Sequence, residues 1–392
     1  MEDLPKEIVL KIFDLLEIES VYQCQLVNKH FHSVSIPALW RNLSIDTEDD
    51  YHWFINYPCI SGQGTGRYVK YIYFCFGSNI DDEKLMSILP LIPNLEELEI
   101  KDATILTDKS LSFIPKCCKK LKKLTWESLT LSYEVGLMLG QCSELETLQL
   151  NCCYLLHPNC LQPLIHVPLK RLIITEGSWL IEKARDLARF HHLKELTIQN
   201  CGDIPNDFFQ QLAFGLPNLK YLYVEKVKEE AGLVNFLKAH SGLQEIWLDS
   251  CNVTNTTVET ITHYIHGLKF LLFKTTEDVS VQVLHHLVCH CPNLSVCAFK
   301  RRGYREYLTL DPHRRPDTIS SVPDQLVSPS SSFYWDKKML HYIRTYYSIM
   351  EKYQRLKEQL EKSGQSGPLK SLDELKKQIE DFVQGEYFNN LV

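Results

Sequence analysis

The chain has 392 residues, 44% of them hydrophobic, with a formal net charge of −7 at pH 7 and a pI near 6.1. That is apolar enough for a continuous core, and the acidic balance excludes a global attraction to nucleic acid or to an anionic membrane. Met1-Glu-Asp-Leu-Pro5 lacks the basic and apolar regions of a secretory signal, and no apolar run of about 18 residues offers a membrane span. Several of the 14 cysteines fall at repeating positions where a small thiol suits a turn. Reduced thiols and a location in the cytoplasm and/or nucleus are expected.

At the N-terminus, Asp3 is placed to cap a helix with Pro5 in its first turn. Ile8, Ile12 and Leu15 mark one face of that helix, and Val9, Phe13 and Leu16 an adjoining one. Ser20 is placed to cap a second helix carrying Val21, Cys24 and Val27. A third short piece carries Phe31 and Val34, and Pro37 precedes Leu39 and Trp40. So few residues cannot bury that much apolar surface alone, so part of it must meet the first repeat and part a partner. Read without any motif, the unit is a plain helical cap on the repeats that follow.

The residues Leu4-Pro5-x-Glu7-Ile8, Ile12-Phe13-x-x-Leu16, Val27-Asn-Lys29-x-Phe31 and Leu39-Trp40-Arg41-x-Leu43 resemble an F-box. Asn28 departs from the family pattern, which usually has Cys there. The resemblance implies a three-helix module over 1–45 that docks on a Skp-type adaptor of a cullin–RING ubiquitin ligase. The adaptor-binding residues it implies are Leu4, Pro5, Ile8, Ile12 and Leu16.

Next comes an acidic run, Asp46 to Asp50, read as solvated. Gly62-Gln-Gly-Thr-Gly66 lacks the Gly-Lys-Ser/Thr ending of a phosphate-binding loop and is read as a flexible loop. A pattern L-x-x-L-x-L then starts at Val69, Leu95, Leu121, Leu145, Leu169, Leu193, Leu219, Leu243, Leu268 and Leu294, with Cys153, Cys201 and Cys251 closing three copies. Trp40-Arg-Asn-Leu43-Ser-Ile45 fits the same register. A period near 25 residues, with apolar first, fourth and sixth positions, marks a leucine-rich-repeat solenoid. Amphipathic segments such as 107–114 and 279–287 follow the strands, and Asp108, Asn159 and Asn206 are cap-like. The expected fold class is α/β, a horseshoe of about ten to eleven repeats over 46–310. An F-box before such repeats resembles the F-box/leucine-rich-repeat substrate receptors.

Lys300, Arg301, Arg302, Arg305, Arg314 and Arg315 form a basic patch, but nothing around it resembles a nucleic-acid module, so nucleic acid is not an expected partner. Leu308-Thr-Leu310 is placed as a last edge strand. Residues 311–334 read as a linker rich in Pro and Ser. Over 335–392 a helical hairpin is expected. One stripe is Met339, Ile343, Tyr346, Met350 and Tyr353; the other is Leu372, Leu375, Ile379 and Phe382, behind a capping box at Ser371. The hairpin reads as a C-terminal cap on the last repeat or the concave groove, in preference to a dimerising coil.

No catalytic set, cofactor site or membrane contact is expected, and the chain reads as a non-enzyme. His285, His286, Cys289, His290 and Cys291 are better explained by repeat packing than as zinc ligands. Strand alternation sends the third, fifth and seventh positions to the concave side. There Tyr221, Tyr223, Trp247, Asp249, Phe270 and Leu272 are expected to form an exposed aromatic surface for a protein substrate, with Glu225 and Glu245 on its rim. Tyr71 and Tyr73 make a smaller site. The rival reading is that the C-terminal hairpin folds back over this surface. The expected function is substrate recognition within a Skp–cullin–F-box ligase, with the cullin as a further partner. A protein-binding scaffold without degradation is the alternative.

Overall fold

The computed structural model describes residues 4–13, 15–56, 64–75, 79–101, 105–127, 134–153, 158–275, 279–301 and 332–335, together with single positions between 340 and 358. The chain packs as two compact units, Met1–Gly202 and Asp203–Val392.

The first unit opens with three helices, α1 (Lys6–Phe13), α2 (Ile18–Cys24) and α3 (Lys29–Leu39). The carbonyl of Pro5 accepts the first turn of α1, from Ile8 N at 2.9 Å and Val9 N at 3.2 Å. Glu17, not Ser20, precedes α2, and Ser20 lies inside the helix. The third element is longer than the sequence suggests, because α3 runs through Pro37 into its last turn. Val9, Phe13, Val21, Phe31 and Val34 form the shared core, with Leu4, Leu10, Cys24, Ala38 and Leu39 packed against it. The Phe13 and Phe31 rings meet edge to face at 5.8 Å.

The first strand, β1 (Asn42–Ile45), pairs in parallel with β2 (Tyr71–Phe74), so the three-helix unit does feed into the repeat register. Between them lies α4 (Glu48–Asn56). The acidic run read as solvated is the start of this helix. Asp50 accepts from Thr47 N at 2.9 Å while Thr47 Oγ1 accepts from Asp50 N at 3.2 Å. That reciprocal pair is a capping box.

Repeats then alternate with strands: α5 (Asp82–Ile88), β3 (Glu97–Ile100), α6 (Asp108–Cys117), β4 (Lys123–Glu127), α7 (Val135–Leu139) and β5 (Thr147–Asn151). After a 3-10 segment at Pro158–His166 come β6 (Arg171–Thr175), α8 (Ala184–Leu187) and β7 (Glu195–Gln199). Strands β1 to β7 pair in sequence order, all parallel.

The second unit holds α9 (Asn206–Leu212), β8 (Tyr221–Glu225), α10 (Glu230–Ala239), β9 (Glu245–Asp249), α11 (Asn255–Tyr264), β10 (Phe270–Thr275), α12 (Val281–His290) and β11 (Val296–Arg301). Strands β8 to β11 are parallel, and β12 (Ser332–Trp335) adds antiparallel to β11. Residues 332–334 therefore belong to a strand and not to the linker. The edge strand placed at 308–310 and the second tail helix lie outside the described residues.

All ten repeat-start residues, from Val69 to Leu294, are buried, as are the fourth-position residues Ile72, Leu98, Leu124, Leu148, Leu172, Leu196, Leu222, Ile246, Leu271 and Cys297. A repeating turn follows the strands. Cys152, Glu176, Asn200, Lys226 and Ser250 each stand directly after a strand with φ of 54°, 57°, 51°, 58° and 55°. This left-handed step turns the backbone off the sheet so that the next residue points into the core. The closing cysteines occupy that inward place. The Cys251 thiol sits 3.3 Å from Asp249 O and 3.6 Å from Val224 O, and Cys201 relates to Gln199 O and Ile174 O in the same way, at 3.3 and 3.6 Å. A buried strand-end carbonyl thus gains a weak donor from the next repeat. The fold is an α/β leucine-rich-repeat solenoid behind a three-helix domain.

Candidate functional site

Two surfaces carry the residues singled out by sequence. The first is the outside of the three-helix domain. Burying Val9 and Phe13 on one side of α1 leaves the opposite side to solvent, and Ile8, Ile12 and Leu16 are 43%, 38% and 41% exposed. Pro5 is also exposed, whereas Leu4 is half-buried and packs against the domain core. Leu15, Ile18, Tyr22, Leu26 and Val27, which are not among the adaptor-binding residues the resemblance implies, are exposed too. They lie on the turns flanking α2 and on α2 itself. The signal available for them was simple: α2 has one buried apolar residue, Val21, and more apolar residues than that needs. Six of the apolar residues on this surface, Ile8, Ile12, Leu15, Leu16, Leu26 and Val27, belong to α1 or to turns that ordinary surface patterning would make polar.

Beside them, Phe13, Leu16, Ile18, Val21 and Ala38 line a cavity of about 490 Å³ that ends at Arg41 and Asn42. Asn28, the departure from the family pattern, has a local role. Its Oδ1 accepts from Phe31 N at 2.8 Å and caps α3, which a Cys side chain does poorly.

The second surface is the exposed-strand face of β8 to β11. Register places Tyr223, Trp247, Leu272 and Ala298 in one row, and Tyr221, Glu245, Phe270 and Val296 in the next. The expectation that this is an open aromatic surface needs correction. Tyr223, Trp247 and Phe270 are 4%, 2% and 1% exposed, and only Tyr221, Leu272 and Asp249 are half-buried. The rings of Trp247 and Phe270 stack at 4.7 Å and 17°, and Tyr223 tilts against Trp247 at 6.1 Å. A stack at the spacing of neighbouring strands hides the face of each ring behind the next.

The acidic rim is engaged as well. Tyr223 Oη donates to Glu225 at 2.6 Å, and Ser250 Oγ to Asp249 at 2.8 Å. Burial, with Glu225 beside it, pushes the Tyr223 hydroxyl pKa far up. The indole Nε1 of Trp247 is buried with no hydrogen-bond partner among the described residues. The smaller site is more open: Tyr71 and Tyr73 are half-buried, Tyr71 Oη donates to Glu99 at 3.3 Å, and Lys101 lies 5.4 Å over the Tyr73 ring. Burial pushes Tyr73 up to about 12.

The histidine and cysteine cluster on α12 does not converge. Cys291 turns inward, its thiol 3.7 Å from Ile265 O, while His286 and His290 are exposed and 3.9 Å apart. Among the described residues no group of three or more His, Cys, Asp or Glu is arranged to hold a metal ion. No helix among them is long and apolar enough to cross a membrane.

Residues 1–46 match a family model described as F-box-like. Among solved structures, the chain is similar to the crystal structure of the Rad7 and Elc1 complex in yeast, with TM-score 0.43 and 16% identity over 55% of this chain and 58% of that one. It thus spans less than two thirds of that relative's length. It is also similar to an internalin (inlF) from Listeria monocytogenes, with TM-score 0.41 and 15% identity over 72% of this chain and 80% of that one. A second internalin (inlC2) from the same organism gives TM-score 0.30 and 19% identity over 55% and 82%. The chain carries an F-box-like domain at its N-terminus, joined to leucine-rich repeats.

Proposed function

We propose that the protein is the substrate-recognition subunit of a Skp–cullin–F-box ubiquitin ligase. The observation that carries the reading is the apolar outside of α1 and α2 within a matched F-box-like domain. An adaptor helix packed over Ile8, Ile12, Leu15, Leu16, Ile18 and Tyr22 would remove that surface from water. Leu26 and Val27 extend the same contact. Pro5 and Leu4 shape its N-terminal edge, Leu4 from within the domain core. The chain performs no bond chemistry in this role. It holds a target protein near the charged ubiquitin carrier and raises the effective concentration of its lysines.

The target would lie along the strand face, where Tyr221, Leu272 and Asp249 remain partly accessible above the stacked Tyr223, Trp247 and Phe270. A scaffold that binds the same target without degradation is the competing reading. Co-purification of the full chain with the adaptor and cullin separates the two. Leu15→Asp with Leu26→Asp changes two exposed side chains and spares the domain core, so the fold is kept. Loss of adaptor and cullin from this variant is the expected result. An intact protein that recovers neither, or a double variant that recovers both undiminished, sinks the ligase reading.

A further inference from the structure

Of the five histidines and cysteines on and just beyond α12, two come together on its outer side. His286 and His290 stand one turn apart, both exposed, with ring centroids 3.9 Å apart. The other three are placed differently. Cys291 is buried, His285 is half-buried, and the half-buried Cys289 has a thiol on which the charges of Arg344 and Glu351 in the tail bear. The pair is held in place from behind. Leu284, Leu287 and Val288 bury the inner side of α12, and Ser280 Oγ accepts from Val283 N at 3.3 Å at its start. Its last turn closes with Cys291 N donating to Leu287 O at 2.9 Å.

A carbonyl oxygen only accepts, so the 2.9 Å contact between His290 Nδ1 and His286 O fixes the His290 proton on Nδ1. That leaves the lone pair on Nε2. It is the arrangement of a metal-binding imidazole, whose other ring nitrogen donates to a backbone carbonyl or a carboxylate. The neighbouring helix repeats it: His263 Nδ1 donates to Glu259 O at 2.7 Å, and its ring lies 6.2 Å from that of His286. Burial, with His290 and His263 beside it, lowers the His286 pKa against the opposing pull of Glu259. These causes favour the neutral ring that a metal needs.

Residue type and spacing narrow the ligand. Two imidazoles one helical turn apart can turn both lone pairs on a single ion. Imidazole suits Zn²⁺, Ni²⁺ and Cu²⁺, whereas Ca²⁺ and Mg²⁺ take oxygen ligands. Two protein ligands leave the other coordination positions to water, so the site is open and differs from the closed four-ligand cage of a structural zinc. We infer that His286 and His290 chelate a divalent transition-metal ion on the outer side of α12. The inference is independent of whether the outer face of α1 and α2 recruits an adaptor.

The test is calorimetric titration of Ni²⁺ into the untagged full chain, where one saturable site is expected. His286→Gln and His290→Gln change exposed side chains and spare the core behind them. Each should weaken binding about tenfold or more, at least what the loss of a hydrogen bond supporting a metal ligand costs. His191→Gln with His192→Gln removes two exposed imidazoles that are adjacent in sequence and not one turn apart, and should leave binding within about twofold. Cys289→Ser should do the same, because the thiol is not a ligand. Excess Ni²⁺ should also raise the thermal midpoint of the unaltered chain more than that of the double variant at His286 and His290, since an ion bound only by the folded state stabilises it. The proposal is overturned by the absence of a saturable site, by undiminished binding in either single variant, or by an equal rise in midpoint in the double variant. A loss as large in the His191 and His192 control, or in Cys289→Ser, overturns it too, by placing the ion on scattered imidazoles or on the thiol.

Discussion

Arg344 shows how much of a tail's attachment can rest in one side chain. Its guanidinium donates to Val288 O at 2.9 Å, to Cys291 O at 2.8 Å and to Leu294 O at 3.1 Å. These carbonyls lie at and just beyond the end of α12, where backbone acceptors run out of helical donors and a cation meets the negative end of the helix dipole. Leu340, one turn earlier, is fully buried. The start of the tail is therefore fastened at the end of α12. Arg344→Ala should cost about 2–3 kcal/mol, since several acceptors lose a charged donor together. Arg344→Lys should recover only part of this, because a point donor cannot span three carbonyls. Urea unfolding of the full chain measures both, and an unchanged midpoint for Arg344→Ala would remove the residue from any fastening role. Sequence could not single it out: a bond from one arginine to distant backbone carbonyls leaves no pattern. Trp247 has the complementary history. Alternation sets it in one row with Tyr223 and Leu272, but its ring contacts with neighbouring strands are not periodic information.

Between elements, a recurrent device ties four helices, α6, α10, α11 and α12, to the helix before each. Asp82 in α5 accepts from Thr107 N at 3.0 Å, Thr107 Oγ1 at 2.6 Å and Ser110 Oγ at 2.5 Å, at the start of α6. Asn206 in α9 accepts from Gly232 N at 2.7 Å, in the first turn of α10. Glu230 in α10 accepts from Thr254 N at 3.1 Å and Thr257 N at 2.9 Å, at the start of α11, and from both threonine hydroxyls. Asn255 in α11 accepts from Ser280 N at 2.8 Å, just ahead of α12. Orphan donors at these four helix starts are thus satisfied by the preceding repeat, which fixes the spacing of those helices as the strand ladder fixes the spacing of strands. Gly232 belongs to the same contact, since a Cβ there would collide with the Asn206 backbone. Glu230→Ala is expected to lower stability by about 2–3 kcal/mol, the loss of a charged acceptor serving several donors. Glu230→Gln, which keeps an acceptor oxygen, should lose about half as much. Exposed Glu259→Ala is the reference that should stay within about 0.5 kcal/mol. Equal midpoints for Glu230→Ala and Glu259→Ala in a denaturant titration would mean that the capping carboxylate contributes nothing. The strands were legible because the same residue class returns at the same place in every repeat. The caps were legible only in part: Asp82, Asn206, Glu230 and Asn255 each open a helix, but the residue type changes from repeat to repeat and the donors it serves lie one repeat further on.

For the molecule as a whole, the cysteines give the most general consequence. Thirteen of the 14 are described, all as free thiols, and eight of those, from Cys118 to Cys297, are buried. Burial pushes Cys118 and Cys251 up to about 12, and Cys142 and Cys291 up to about 11. Because the thiolate is the reactive form, these groups should resist iodoacetamide at neutral pH while the protein is folded and react once it is unfolded. Cys24, Cys75, Cys117, Cys152 and Cys289 are partly accessible and should supply the early labelling. The same shifts set the direction of an alkaline effect. An unfolded chain ionises its thiols near their usual value of about 8.5, whereas the folded chain keeps them neutral to higher pH. The unfolded state then binds fewer protons than the folded state, so stability present below about pH 8.5 falls as the pH rises toward the folded values of the buried thiols. Thermal melts across this range should show a falling midpoint, with labelling of the buried thiols speeding up as the midpoint drops. A flat midpoint together with prompt native labelling of Cys118 or Cys251, read by peptide mass spectrometry, would mean that these thiols are reached by solvent without unfolding, against a core that closes around every repeat.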